Sequence, residues 1–356
     1  MKPLLFASNR SFSGKSSMCV AIGKLLKEKG YKLGYMKPVC TLPDKIGNCY
    51  MDEDVRYIID ILELKDNPED ICPLSFTEQA YDRMLKEKID SVSKEYSDVI
   101  KGSFDRISKD KDIVLIESAR NITYGSFAGI SSKDICAAVG AKTILIMKYE
   151  DDVIDKVMYF KNYFHELFGG IIINRVAVND KDRINKLIIP YFKKFGVNVF
   201  GVLYSDSTLS SISIRDMAKY LEGEVLCAEN NLDELVESFM VGAMGHEMAL
   251  KFFRTKTDKV VITGGDRADI QLAALETNTK CLVLTGLLQP SPMVISRAEE
   301  LGVPMVLVRH DTLTTISKIN EVLGQSNLHE HKKLNKLIES VKKYIDLDKI
   351  IELAES

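Results

Sequence analysis

The chain has 356 residues, 46% of them hydrophobic and 28% charged, with a formal net charge of -3. That balance argues against long disorder, and the near-neutral charge argues against the basic surface on which nucleic-acid binding draws. The length exceeds one ordinary core and predicts two domains with a small appendage. Seven cysteines (Cys19, Cys40, Cys49, Cys72, Cys136, Cys227 and Cys281) form no CxxC pair and read as reduced thiols. No apolar run approaches the roughly 18 residues needed to span a bilayer, and the N-terminus opens on a strand-like run, so a cytoplasmic protein without a membrane partner is expected.

Pro3 to Ala7 reads as a buried strand, and from Gly14 the pattern turns helical through Leu26, closed by the stop signal Lys29-Gly30. Further strands are predicted at Lys32 to Met36, Ile113 to Ile116, Thr143 to Met147, Gly170 to Ile173 and Val197 to Val202. Helical stretches lie between them, notably Asp152 to Leu167 and Lys181 to Phe195. Strands alternating with helices predict a parallel sheet covered on both faces. Ser205 to Ser213 reads as a linker, and a second alternating series follows. Its strands are predicted at Lys259 to Thr263, Lys280 to Thr285 and Pro304 to Val308, and its helices at Ala268 to Glu276, Met293 to Leu301 and Thr314 to Leu323. From His329 a single charged helix is expected, with Leu334, Leu337, Val341 and Ile345 on one buried face. The expected fold is therefore α/β: a P-loop parallel sheet in residues 1–208, a smaller α/β domain in 209–328, and a C-terminal helix in 329–356.

The segment Ser8 to Ser17 ends in Gly14-Lys15-Ser16-Ser17 and sits between the first strand and the first helix, where backbone N–H groups and the helix dipole converge on an anion. Lys15 would reach the phosphates of a nucleoside triphosphate, and the Ser16 hydroxyl would join a magnesium shell of hard oxygens. Ser11, Ser13, Gly14, Lys15, Ser16 and Ser17 are the candidate nucleotide contacts. The first glycine of the usual GxxxxGK[ST] pattern is absent, with Asn9 or Ser8 in its place. Glu117 closes the apolar run Ile113 to Ile116 and so stands at the carboxyl edge of the sheet, where ligands bind.

Gly34-Tyr35-Met36-Lys37-Pro38-Val39 follows the phosphate loop, and the pairing of GKS with GYxKPV resembles the dethiobiotin synthetase family. The resemblance implies ATP and magnesium as cofactors and Lys37, beside Lys15, as a catalytic lysine touching substrate and phosphate. It also implies magnesium held by Ser16, by Asp54 or its neighbour Asp52, and by Glu117, with Asn174 reading the nucleotide base. The likeness fades after Glu117, where that family has a glycine-rich turn and this chain has Ser118-Ala119-Arg120-Asn121.

The second series carries Gly242-Ala243-Met244, then Thr263-Gly264-Gly265-Asp266-Arg267, then Thr285-Gly286, and this set resembles the DRTGG domain. The two domains in this order resemble the N-terminal part of long bacterial phosphotransacetylases, with no room left for an acetyltransferase domain. Gly264, Gly265, Asp266 and Arg267 are a candidate effector pocket: the glycines free backbone amides, Asp266 can cap the following helix, and Arg267 supplies a fixed cation. A strand-to-helix turn with an interdomain Arg-Asp ion pair is the alternative there. The five histidines show no metal-binding spacing, and His246 reads as structural. Two functions remain open at this stage. One is a regulatory nucleotide-binding protein, expected as a dimer or higher homo-oligomer with a small-molecule effector. The other is an ATP-dependent ligase that activates a carboxylate or carbamate as an acyl phosphate.

Overall fold

The computed structural model describes all residues except 1, 12, 42–43, 47–48, 87–88, 207–208, 210 and 324–330. For 44–46, 49–50, 53, 78–80, 89–91, 320–323 and 331–332 it describes the backbone only. Two compact units emerge, Met1–Ser205 with Leu328–Ser356, and Asp206–Asn327. The first unit is built on strands β1 (Leu4–Ala7), β2 (Leu33–Met36), β3 (Ile113–Glu117), β4 (Lys142–Lys148), β5 (Phe168–Val176) and β6 (Val199–Tyr204). All neighbours run parallel in the order β6-β5-β4-β1-β3-β2. Parallel strands covered on both faces must be apolar throughout, and β1 and β3 are buried at every position. Register aligns Phe6 with Glu117 and Ala7 with Leu145, so β1 and β3 end within a residue of each other while β4 runs on to Lys148.

The C-terminal segment is two helices, His331–Tyr344 and Leu347–Glu355, where a single one is expected from the sequence. The break falls at Ile345, which bridges antiparallel to Gly201 of β6, and the Asp346 amide donates to the Phe200 carbonyl at 2.7 Å. Asp346 then caps the last helix by accepting from the Lys349 amide. Both helices pack on the first unit, burying Leu334, Leu337, Val341 and Ile345 together with Ile350, Ile351 and Ala354. His329, where the expected helix starts, lies outside the described residues.

The expected helix at Lys181 to Phe195 contains a wider π turn over Ile184–Ile188. Pro190 follows it, a residue that cannot donate to the helical ladder. The reduced-thiol reading is corrected at two positions. A short parallel pairing of Val39–Cys40 with Leu74–Ser75 brings Cys40 and Cys72 to a Cα separation of 6.3 Å, and the two are joined as a disulfide. That spacing is inside the range of about 4.4–6.8 Å that a disulfide spans. Cys19, Cys136, Cys227 and Cys281 are buried free thiols.

The second unit has strands β7 (Glu224–Cys227), β8 (Ser238–Val241), β9 (Lys259–Gly264), β10 (Thr279–Thr285) and β11 (Met305–Leu307) in the order β7-β11-β10-β9-β8. All pairs are parallel except β7 with β11. Apolar residues on the two faces of this sheet form separate clusters, one around Val260, Ile262 and Val283 and the other around Val261, Leu282 and Leu284. Alternation along β9 and β10 assigns neighbouring residues to opposite faces.

Candidate phosphate-binding site

The loop after β1 folds back on itself. The Ser8 hydroxyl donates to the Arg10 carbonyl at 2.6 Å and the Ser13 hydroxyl to the same carbonyl at 3.0 Å. Gly14 then turns at φ 97°, in the left-handed region, and the helix Lys15–Glu28 begins. Its first-turn N–H groups have no carbonyl within the helix and face the loop. Asn174, near the end of β5, donates from Nδ2 to the Ser13 carbonyl at 2.9 Å and accepts the Arg175 amide at 2.9 Å, bracing the loop from one side. A Cβ on Gly14 would lie 2.7 Å from that Nδ2. Gly14→Ala is therefore expected to lose about 1–2 kcal/mol from the left-handed backbone alone and to displace Asn174. A thermal melt indistinguishable from the unmutated protein would contradict this.

Lys15 is buried, and its ammonium donates to the Ser8 hydroxyl oxygen at 3.0 Å and to the Arg120 carbonyl at 3.1 Å. Burial is the largest influence on it and pulls its pKa from 10.5 down to about 8; the Lys37 charge lowers it further, while Glu117 and Asp54 oppose. Ser16, one residue on, reaches two carboxylates, with its hydroxyl 2.9 Å from Asp54 Oδ2 and 2.6 Å from Glu117 Oε1. The other Glu117 oxygen accepts the Tyr35 hydroxyl at 2.8 Å. Tyr35 lies inside the GYxKPV run, yet no role attaches to it from sequence alone. Ser11 lies half-buried in the loop and Ser17 is buried in the first helical turn.

Lys37 occupies the centre of the acidic group. Its Nζ lies 2.7 Å from Asp52 Oδ2, 3.0 Å from both Asp54 oxygens and 4.0 Å from Glu117 Oε1. Burial alone would lower this lysine, but Asp54, Glu117 and Asp52 outweigh it and hold the ammonium above its ordinary range. Burial raises Glu117 above the usual carboxylate range, against the pull of Lys37. The same burial acts on Asp54, where Lys37 and the Ser16 hydrogen bond reverse it and hold the carboxyl low. The two candidate acids thus separate: Asp54 touches Ser16, whereas Asp52 is turned to Lys37 and to the Thr41 amide at 3.0 Å.

The donor set suits a hard divalent cation. Ser16 has one proton and two carboxylate oxygens within hydrogen-bond reach, and the Lys37 ammonium lies 3.0 Å from the same Asp54 oxygen. Among the described residues no group of three or more His, Cys, Asp or Glu side chains is arranged to hold a metal. The Ser16 hydroxyl with Asp54 and Glu117 offers hard oxygens of the kind magnesium takes.

In the second unit, the turn after β9 places Arg267 as the residue before the helix Ala268–Leu275, and no side chain caps that helix. The expected cap by Asp266 is corrected accordingly. The Arg267 guanidinium lies 3.1 Å from Asp269 and donates to the Met244 carbonyl at 3.0 Å. The pairing is local, two residues along the chain, and not between domains. Gln271 was not legible as part of this turn. It is fully buried, its Nε2 donates to the Gly264 and Gly265 carbonyls at 2.9 and 3.0 Å, and its Oε1 has no partner among the described residues. His246 is exposed at the start of the helix His246–Phe253.

Residues 3–235 match the AAA domain family and residues 216–322 match the DRTGG domain. The chain is 24% identical over 367 residues to the phosphate acetyltransferase of Nitratidesulfovibrio vulgaris, covering 96% of this chain and 50% of that protein. It is 23% identical over 368 residues to that of Pseudomonas aeruginosa, covering 94% and 49%. With the ATP-dependent dethiobiotin synthetase BioD of Caldicellulosiruptor saccharolyticus it shares 26% over 206 residues, 54% of this chain and 81% of that one. The chain thus spans about half the length of the acetyltransferases it matches. No described helix is long and apolar enough to cross a membrane. A phosphate loop between β1 and a helix, with a second α/β unit carrying the glycine turn, agrees with both matches, and the chain belongs to the AAA domain family of P-loop proteins, with a DRTGG domain following.

Proposed function

We propose that this chain binds ATP with magnesium in its first unit and acts as a regulatory nucleotide-binding protein. The observation that carries the reading is Lys15, buried at a helix N-terminus between Ser8 and the Arg120 carbonyl and one residue before a serine that touches two carboxylates. Lys15 would take the phosphates, and Ser16, Asp54 and Glu117 would hold magnesium, which when bound neutralises phosphate charge. Asn174, with the loop residues Ser11, Ser13, Gly14 and Ser17, would frame the nucleotide.

The output belongs to the second unit in this reading. The turn Gly264 to Arg267 lies at the carboxyl end of β9 beside the unpartnered Gln271 Oε1, and is where a small-molecule effector would act. The homo-oligomer expected from the sequence remains part of the proposal, and light scattering decides it.

One observation favours a second reading. Lys37 is held as a buried ammonium in contact with Asp54, the same carboxylate that Ser16 touches, which is where an ATP-dependent ligase would stabilise a transferring phosphoryl group. Calorimetric titration of ATP, ADP and GTP with magnesium, followed by phosphate release with and without bicarbonate and candidate amines, separates the two. Binding with negligible release supports the regulatory reading. Release stimulated by an added substrate replaces it with the ligase, and no nucleotide binding removes both.

A further inference from the structure

We propose that Arg120 is the receptor for an anionic group, a carboxylate or a phosphate, bound beside Lys37; the reading of the neighbouring loop as a nucleotide site underlies it. Arg120 follows β3 on a segment tied to the phosphate loop at two points. Its carbonyl accepts the Lys15 ammonium at 3.1 Å, and the Ile122 amide donates to the Ser8 carbonyl at 2.9 Å. The backbone beneath the guanidinium is therefore set by the site itself.

The side chain is exposed and charged, and no carboxylate among the described residues lies within ion-pair distance of it. Arg10, Arg106 and Arg267 differ, each facing an acid at 2.7, 2.6 and 3.1 Å respectively. Arg120 instead lies over the Tyr124 ring, 5.9 Å from its centroid, which orients the planar fork without occupying its N–H groups.

Sheet order fixes the side on which it lies. Asn174 comes from β5, on one flank of β1, while Arg120 follows β3 and Lys37 follows β2, both on the opposite flank. Tyr124 packs against Phe76 at 5.6 Å, and the Phe76 amide donates to the Cys40 carbonyl, three residues beyond Lys37. The guanidinium thus stands on the Lys37 flank, away from the side that Asn174 braces.

Charge assigns the ligand class. The Lys37 ammonium is engaged by Asp52 and Asp54, whereas the Arg120 guanidinium meets no carboxylate among the described residues and stays open to a ligand. A guanidinium fork suits the paired oxygens of carboxylate or phosphate. Two sources share that chemistry: the terminal phosphate of the nucleotide, and a separate small anion.

The test uses full-length protein with Arg120→Ala and Arg120→Lys. Calorimetry measures ADP and ATP with magnesium, then inorganic phosphate and succinate added to the ADP-loaded and to the nucleotide-free protein. A tenfold or greater loss in Arg120→Ala, partly recovered in Arg120→Lys, with unchanged melting temperature, supports the assignment. Loss for ATP with ADP within twofold names the terminal phosphate as the source, and loss for phosphate or succinate alone names a separate ligand. Equal affinities for every probe in Arg120→Ala and the unmutated protein overturn it. Should the unmutated protein bind neither nucleotide, the nucleotide reading fails by itself, and the titrations on nucleotide-free protein still decide Arg120.

Discussion

Lys15→Ala is expected to weaken binding of ATP with magnesium by about a hundredfold, since a buried charge-assisted contact contributes about 1.5–3 kcal/mol and each 1.4 kcal/mol is about tenfold. Calorimetry reads this directly, and an unchanged dissociation constant would remove the central reading of the site. A pH dependence accompanies it. Burial holds Lys15 at about 8 in the folded protein, against 10.5 for a free lysine. Between those values the unfolded chain binds more protons than the folded one, so the stability of nucleotide-free protein rises with pH across that window. Phosphate binding requires the charged lysine, so affinity falls as pH climbs past about 8. The two trends run in opposite directions. Near pH 8 binding takes up protons, which calorimetry detects by repeating the titration in buffers of different ionisation enthalpy.

Lys37→Ala is expected to destabilise the nucleotide-free protein by about 3–5 kcal/mol, the usual cost of removing one partner from a buried ion pair. The loss follows from what stays behind: Asp52, Asp54 and Glu117 converge on the vacated ammonium position, and among the described residues no other cation lies within ion-pair distance of Asp54 or Glu117. Without Lys37, burial leaves Glu117 and Asp54 binding protons more tightly in the folded state than in the unfolded chain. The variant should therefore recover stability as pH falls, and millimolar magnesium should recover it at neutral pH. Urea unfolding with and without magnesium checks both. A variant as stable as the parent in magnesium-free buffer would show that the cluster is held by something other than this lysine.

The parts of the site that were legible in the sequence are those specified locally. Gly14, Lys15 and Ser16 sit at a strand-to-helix junction that periodicity marks within a few residues, and Glu117 ends an apolar run whose carboxyl edge is a binding edge in any parallel sheet. Asp52 and Asp54 could not be told apart by the same means. Their difference arises because the helix begins at Glu53, leaving Asp52 extended before it at ψ 144° and Asp54 in its first turn. Tyr35 and the Arg120 carbonyl carry no local signal for a related reason, since one touches Glu117 and the other Lys15 across the fold. The Cys40–Cys72 pair depends on a two-residue strand pairing that leaves no periodic trace, and the break at Ile345 depends on Gly201, far away in the chain.

The Ile345 bridge and the bond from the Lys2 amide to the Ala354 carbonyl at 2.6 Å bear on the order in which the protein can be completed. The first unit is built from residues on both sides of the second, and its helices His331–Tyr344 and Leu347–Glu355 pack on the helix Lys15–Glu28 and on β6. A ribosome releases the second unit as one continuous stretch before those helices exist. The DRTGG domain can thus reach its full set of internal contacts while the first unit still lacks those two helices, so of these two units the one whose strands are made first is completed after the other.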